Sequence, residues 1–283
     1  MKEILLTICL LTFIFNSIGQ NLAGVVFEQG TGSPVSYVSI GIINKSGGTY
    51  SDVDGKFQFM QNDFDKADSL RFSCIGYKPV TIPMSELLGK SDENEFEVFM
   101  EKEIFHLKGV EIYPKEYTSK EIGNKISNQH ICICGSNDVE GGIIIRNKKK
   151  LFLDKLTFRL SSECTQMPDS VLLRVNFYNT SNDLPSDILL TEPIYLVLTK
   201  EIKTDQVIVD IEKYRIAVDG DFAATIEIIK IYGTGKICFA GWISGYPTVL
   251  KYGKQGRWAF PADDKRNRLK IYQSIVVSAR SEK

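Results

Sequence analysis

Read for polarity, the chain opens on an almost unbroken apolar run from Ile4 to Phe15 and then settles into short stretches in which apolar and polar residues alternate. Alternation with a period of two is the mark of a strand buried on one face. It is present at Val38, Ile40 and Ile42 against Tyr37, Ser39 and Gly41, at Phe57 and Phe59 around Gln58, and at Leu70, Phe72 and Cys74 against Arg71 and Ser73. Clusters of turn residues punctuate these runs: Gln29 to Pro34, Gly47-Gly48, Asp52-Val53-Asp54-Gly55 and Ile75 to Lys78. Pro34 cannot donate to a ladder, and glycine and aspartate favour tight reversals. With Leu22 to Phe27 at the start and Phe96, Val98 and Met100 at the end, about seven strands are predicted between Asn21 and Met100. A second block follows from Gly141. There Leu156, Phe158 and Leu160 alternate with Thr157 and Arg159, and Val171, Leu173, Val175 and Phe177 alternate with Leu172, Arg174, Asn176 and Tyr178. Strands at Ile194 to Leu198, Val207 to Ile211, Thr225 to Ile231, Ile237 to Ile243 and Leu269 to Val277 complete a second sandwich, predicted to be jelly-roll-like. The fold class is therefore all-β, two sandwiches in tandem.

The first nineteen residues stand outside this pattern. The apolar run is too short for a membrane-spanning helix, and Ser17 and Gly19 place small side chains at −3 and −1 before Gln20, as signal-peptide cleavage requires. The expected organisation is a signal peptide over 1–19, a sandwich over 20–104, a strand and polar linker over 105–135, and the second sandwich over 136–283. Leu107 to Tyr113 still reads as a strand within that linker. Export would place the mature chain in the periplasm or at the outer surface, with no transmembrane segment left after cleavage.

The residues of the first block also carry a resemblance. Leu22-Ala23-Gly24-Val25-Val26, Thr31-Gly32-Ser33-Pro34-Val35, Val38-Ser39-Ile40, Gly48 to Phe57 and Leu70 to Lys78, taken in that order, closely resemble the carboxypeptidase regulatory-like domain. The resemblance implies a transthyretin-like sandwich that opens exported proteins and has no chemistry of its own. In TonB-dependent transporters of that lineage, a sequence like Val110-Glu111-Ile112 leads into a plug and barrel. About 165 residues follow here, too few for such a barrel.

Composition narrows the function. Thirty-four Lys and Arg balance 35 Asp and Glu, a net charge of −1, so the basic footprint of a nucleic-acid protein is missing. Only two histidines are present, which limits His-based metal or acid–base chemistry. No nucleophile elbow, His-Glu-x-x-His or phosphate-binding glycine loop occurs. Asp52 and Asp54 before Gly55 resemble the start of a calcium loop, but the glycine comes too early and no bidentate glutamate follows at the twelfth position, so a structural turn is predicted. Paired carboxylates for glycoside hydrolysis depend on the fold and stay open. The run from Asp263 to Arg268 is predicted to be a solvated loop.

Two constellations remain. His130, Cys132 and Cys134 alternate on one strand and could offer three ligands to zinc or copper, although no fourth is identifiable. The competing accounts are a disulfide from Cys132 or Cys134 to Cys164 or Cys238, and free buried thiols, as is predicted for Cys74. Four cysteines allow three pairings, and five mature cysteines leave at least one unpaired. The second constellation is Trp242, Tyr246, Tyr252 and Trp258, with Phe260, interleaved with glycines. Solvent-facing coplanar rings would bind a sugar or peptide; buried rings would be core. No cofactor is expected. The function expected is a non-catalytic binding or assembly module of the cell envelope, engaging a protein or glycan through sandwich-end loops or strand edges. The alternative is a glycan- or peptide-active enzyme with a carboxylate site in the C-terminal sandwich.

Overall fold

The computed structural model describes residues 21–45, 47–60, 65–89, 96–103, 117–125, 131–137, 139–242, 245–261 and 272–282. The 1–19 segment, the Leu107 to Tyr113 strand, His106, His130 and the Asp263 to Arg268 run lie outside them.

The N-terminal block is a sandwich of two sheets. One has the order β4-β1-β7, with β1 (Asn21–Glu28) between β4 (Lys56–Met60) and β7 (Phe96–Met100). The other runs β3-β2-β5-β6, from β3 (Gly48–Tyr50) through β2 (Ser39–Ile42) and β5 (Ser69–Ser73) to β6 (Val80–Pro83). The alternating residues do what their spacing requires: Ile40, Phe57, Phe59, Leu70 and Phe72 pack into one core. A short helix, α1 (Met84–Gly89), adds Met84 and Leu87 to it, an element that the strand pattern did not predict. The Asp52 turn is structural, as its spacing indicated. Asp52 Oδ1 accepts from the N–H groups of Asp54 and Lys56, both at 2.9 Å, and Gly55 takes φ +74°.

The second block starts earlier than residue 136. Within the stretch expected as linker, β8 (Tyr117–Gly123) pairs along the last strand, β22 (Ile275–Glu282), and β9 (Ile131–Gly135) pairs along β18 (Ile237–Trp242). Charged residues such as Lys120 and Glu121 hid β8, because an edge strand has one neighbour and little to bury. One face of this sandwich is a seven-stranded sheet whose main path is β13-β12-β17-β10-β19-β20: β13 (Leu184–Ile188), β12 (Ser170–Ser181), β17 (Phe222–Tyr232), β10 (Val139–Ile145), β19 (Thr248–Tyr252) and β20 (Trp258–Ala259). β14 (Ile194–Thr199) pairs with β12 as well. Opposite lie a five-stranded sheet built on β11 (Lys150–Arg159) and β22, and the three-stranded sheet holding β9 and β18. Between them, Ile143, Leu156, Phe158, Leu173, Val175, Phe177, Ile226 and Val277 form a continuous core. No helix among the described residues is long and apolar enough to cross a membrane.

The four cysteines of this block close two disulfides, Cys132–Cys164 and Cys134–Cys238. Register explains the second pair, since Cys134 and Cys238 sit directly opposite on β9 and β18 with Cα atoms 4.0 Å apart. Of the metal candidates His130, Cys132 and Cys134, both thiols are thus consumed. No cluster of three metal-ligating side chains occurs among the described residues. Cys74 remains a free thiol, half-buried.

Candidate functional site

The seven-stranded sheet turns its second face toward the N-terminal sandwich, and that face carries charge. On β12 the alternation that sends Leu173, Val175 and Phe177 into the core sends Arg174, Asn176 and Tyr178 the other way. Neighbouring strands supply Thr225 and Glu227 from β17, Glu140 from β10 and Lys251 from β19. Register brings them together: Glu227 lies opposite both Arg174 and Glu140, Glu140 opposite Lys251, and Asn176 opposite Thr225. Glu140, Asn176 and Thr225 are at most 1% exposed, so these groups are as dry as core residues.

Buried charge survives only when paired and hydrogen-bonded. Arg174 donates to Glu227 Oε2 from Nε at 2.9 Å and from Nη2 at 2.7 Å. Asn176 Nδ2 bridges the two carboxylates, donating to Glu140 Oε1 at 2.8 Å and Glu227 Oε2 at 3.2 Å. Glu140 Oε1 also accepts from Thr225 Oγ1 at 2.6 Å and from Tyr178 Oη at 2.9 Å, while Lys251 Nζ stands 2.6 Å from Oε2. Burial opposes ionisation of Glu227, but the charges of Arg174, Lys251 and Lys254 and the Tyr50 hydrogen bond outweigh it, bringing its carboxyl down to about 2. Burial also works against the charge of Lys251, and Glu140 and Glu227 overcome it and raise the ammonium above its ordinary value.

The N-terminal sandwich closes over this face through β3. Tyr50 donates its phenol to Glu227 Oε1, and Lys254 Nζ lies 3.1 Å from the centre of the Tyr50 ring. Burial, with Glu227 next to it, pushes the Tyr50 phenol well up, so it stays a donor. The Lys254 stem reaches Tyr50 by passing over Gly41 and Gly48. A Cβ at Gly48 would clash with Lys254 Cγ and lie 2.7 Å from the Ile40 carbonyl oxygen. The glycine of the expected Gly47-Gly48 turn therefore also serves a close approach between domains. We expect Gly48→Val to loosen this contact, costing about 1–3 kcal/mol as overpacking does. Limited proteolysis should then cut between the blocks faster than in the parent; unchanged cleavage would contradict this role.

A cleft of about 250 Å³ opens between the sandwiches beside the network, lined in part by Arg71, Cys74, Tyr77, Arg174, Asn176 and Lys254. A second, of about 300 Å³, lies where Tyr37, Tyr50, Asp52 and Tyr232 meet. Tyr37 also packs edge-on to Tyr195 at 5.2 Å.

The aromatic candidates are dispersed rather than assembled into one platform. Trp258 packs edge-on against Tyr178 at 5.6 Å and receives Lys251 Nζ over its ring at 4.9 Å, on the charged face. Tyr252, 61% exposed, follows Lys251 on β19 and so takes the other face. Tyr246 packs against the main core, and the Trp242 side chain lies outside the described residues. Sequence reasoning missed Glu140, Glu227, Arg174 and Asn176 as a group. The available signal was a strand face of Leu, Arg, Asn and Tyr in place of the Lys and Glu of a solvated one.

Fold and site together define an all-β protein of two sandwiches with a charged, largely buried seam between them. Its first sandwich is the better known part: residues 22–112 match the CarboxypepD_reg-like domain. No curated protein matches the chain. Among solved structures, a chain of infectious bursal disease virus, Gt strain, is similar at 9% identity over 93% of this chain and 64% of that one, with a TM-score of 0.25. A chain of the VP2 subviral particle of the same virus follows at 8% identity, 93% and 60% coverage and a TM-score of 0.23. This chain thus spans less than two thirds of the length of either, and TM-scores this low carry no argument about it.

Proposed function

We propose that this protein is an exported, non-catalytic binding or assembly module of the periplasm or outer cell surface, engaging a protein or glycan partner. The observation that carries the binding half is the state of the buried carboxylates. Glu140 Oε1 is filled by three hydrogen-bond donors and Glu227 is held at about 2, so Glu227 serves as a fixed anion rather than a proton carrier near neutral pH. Export is supported by the apolar N-terminal run from Ile4 to Phe15 with Ser17-Ile18-Gly19 shortly after it, and by two disulfides, which persist in oxidising compartments. A partner would meet the cleft mouth, the loops at the sandwich ends, or open strand edges such as β15 (Gln206–Asp210), where Ile208 is 60% exposed.

One observation favours the enzymatic alternative, a glycan- or peptide-active site in the C-terminal sandwich: Glu140 and Glu227 face each other across adjacent strands beside a cleft. Both readings meet one experiment. The chain is expressed with its N-terminal segment in a diderm host, and the fractionated product is assayed on a broad panel of polysaccharides and peptides, alongside Glu140→Gln and Glu227→Gln. We expect an envelope-fraction protein beginning at Gln20, with one free thiol and no turnover. Cytoplasmic retention with reduced cysteines would overturn export, and turnover abolished by either substitution would overturn the binding reading.

A further inference from the structure

The 300 Å³ cleft differs from the seam beside it in that its polar groups meet solvent. The first sandwich lines it with Tyr37, Tyr50 and Asp52, the second with Asn137, Lys230 and Tyr232. Tyr37 holds φ +55°, a left-handed backbone that strains a bulky residue. Two contacts keep it there: its N–H donates to the Asp52 carbonyl at 3.4 Å, and its ring packs edge-on against Tyr195. The Tyr37 phenol oxygen bonds to no described residue and is not sealed from solvent, so it is open to a ligand. Burial pushes this phenol up, and Tyr232 and Asp52 add to the effect, which sets the three groups around one space. Asp52 Oδ1 is filled by the two N–H groups of its turn, which leaves Oδ2 as a free acceptor among the described residues. Asn137 Oδ1 accepts from the Ile231 N–H at 3.0 Å, so Nδ2 is its free donor. Lys230 Nζ stands over the Tyr232 ring at 5.1 Å, and Tyr232 remains 40% exposed.

Charge, hydrogen bonding and shape select the occupant together. Asp52 and Lys230 are the charged residues lining the cleft, one of each sign, so a ligand of either net charge meets its like. Tyr37 Oη, Asp52 Oδ2, Asn137 Nδ2 and Lys230 Nζ mix donors with acceptors. Hydroxyl groups suit such a set, since each of them donates and accepts. The Tyr37 and Tyr232 rings add flat apolar surface at small entropic cost. The volume sits at the lower end of ligand pockets, roughly 300 Å³, room for one ring. We propose that this cleft binds one neutral pyranose unit of a glycan, with its C–H face on Tyr232 and its hydroxyls on Tyr37, Asp52 and Asn137. The inference rests on the binding reading above and chooses the glycan from the two partners named there. Its walls belong to different sandwiches, so the bound sugar also holds the two together.

The purified chain would be titrated by ligand-detected NMR with the methyl glycosides of glucose, galactose, mannose and N-acetylglucosamine. Mannitol has the hydroxyls without the ring, cyclohexanemethanol has the ring without the set of hydroxyls, and glucuronate and glucosamine each add a charge. At least one glycoside is expected to saturate at about 1 mM, the affinity a ligand of its size reaches at ordinary efficiency. Every control should bind at least about fivefold more weakly, as one lost hydrogen bond or one like-charge contact gives. Tyr232→Ala removes the stacked ring and should weaken binding about tenfold. Asp52→Asn keeps the Oδ1 that holds the turn but puts an amide donor where Oδ2 accepts, and should cost a similar factor. Tyr252→Ala removes an exposed ring outside the cleft and should bind as the parent does. No saturation by any glycoside, equal affinity for mannitol, or binding that survives both Tyr232→Ala and Asp52→Asn overturns the proposal. Such a result without turnover on the hydrolase panel leaves the binding reading standing; turnover lost in Glu140→Gln or Glu227→Gln overturns that reading instead.

Discussion

Replacing Cys134 and Cys238 together by alanine should lower unfolding stability by about 4–5 kcal/mol, the largest effect expected of any change outside the charged seam. The bridge joins residues 104 apart in sequence, so its loss releases a long loop in the unfolded chain. The Cys132–Cys164 bridge spans 32 residues, and the same relation gives about 3–4 kcal/mol for it. Both bridges clamp β9, so removing all four cysteines should cost less than the two losses added. Local packing makes the difference sharper. Cys238 is fully buried on β18, while β9 has that strand as its single sheet neighbour. Non-reducing urea unfolding of the parent and the two double-alanine variants would measure the ordering. A larger loss on removing Cys132–Cys164 would show that native packing, rather than loop closure, sets these values.

Much of the first sandwich was legible in the sequence because each strand there buries one face, and alternation reports just that. Phe57 and Phe59, Leu70 and Phe72, and the Asp52 turn fell where the pattern put them. The same rule read only half of β12. It sent Val171, Leu173, Val175 and Phe177 to the core but could not say what covers Arg174, Asn176 and Tyr178, because the cover comes from β3, well over a hundred residues earlier. Partner choice among cysteines was likewise a matter of register between β9 and β18, which no local pattern encodes. Glu140 was the hardest to see. It stands at the start of an apolar strand, and its importance comes from neighbours on other strands: three on β12 and β17 that donate to one oxygen, and Lys251 on β19 at the other.

Arg174→Met should be the most damaging single substitution in the seam, at about 3–5 kcal/mol, because it strips a buried carboxylate of its main counter-charge. Glu227 would keep Tyr50 and Asn176 as donors but lose both Arg174 bonds. Pairing the change with Glu227→Leu should recover most of the loss, since an apolar pair of similar size leaves no bare charge. Recovery would be incomplete where Tyr50 and Asn176 lose their shared acceptor. The same network predicts an acid response. The Glu227 carboxyl lies at about 2 in the folded protein against an ordinary 4.5, so its stabilising contribution is fully present above about pH 4.5 and disappears as pH falls toward 2. Glu28, Asp68 and Asp221 are also lowered, by partners outside the seam, so wild-type acid sensitivity alone would not isolate Glu227. The difference between parent and Arg174→Met does isolate it. Without the guanidinium the depression shrinks, and urea midpoints measured from pH 5 to 2 should fall less steeply in the variant. Parallel curves for the two proteins would mean that Lys251 and Lys254, rather than Arg174, hold the carboxylate ionised.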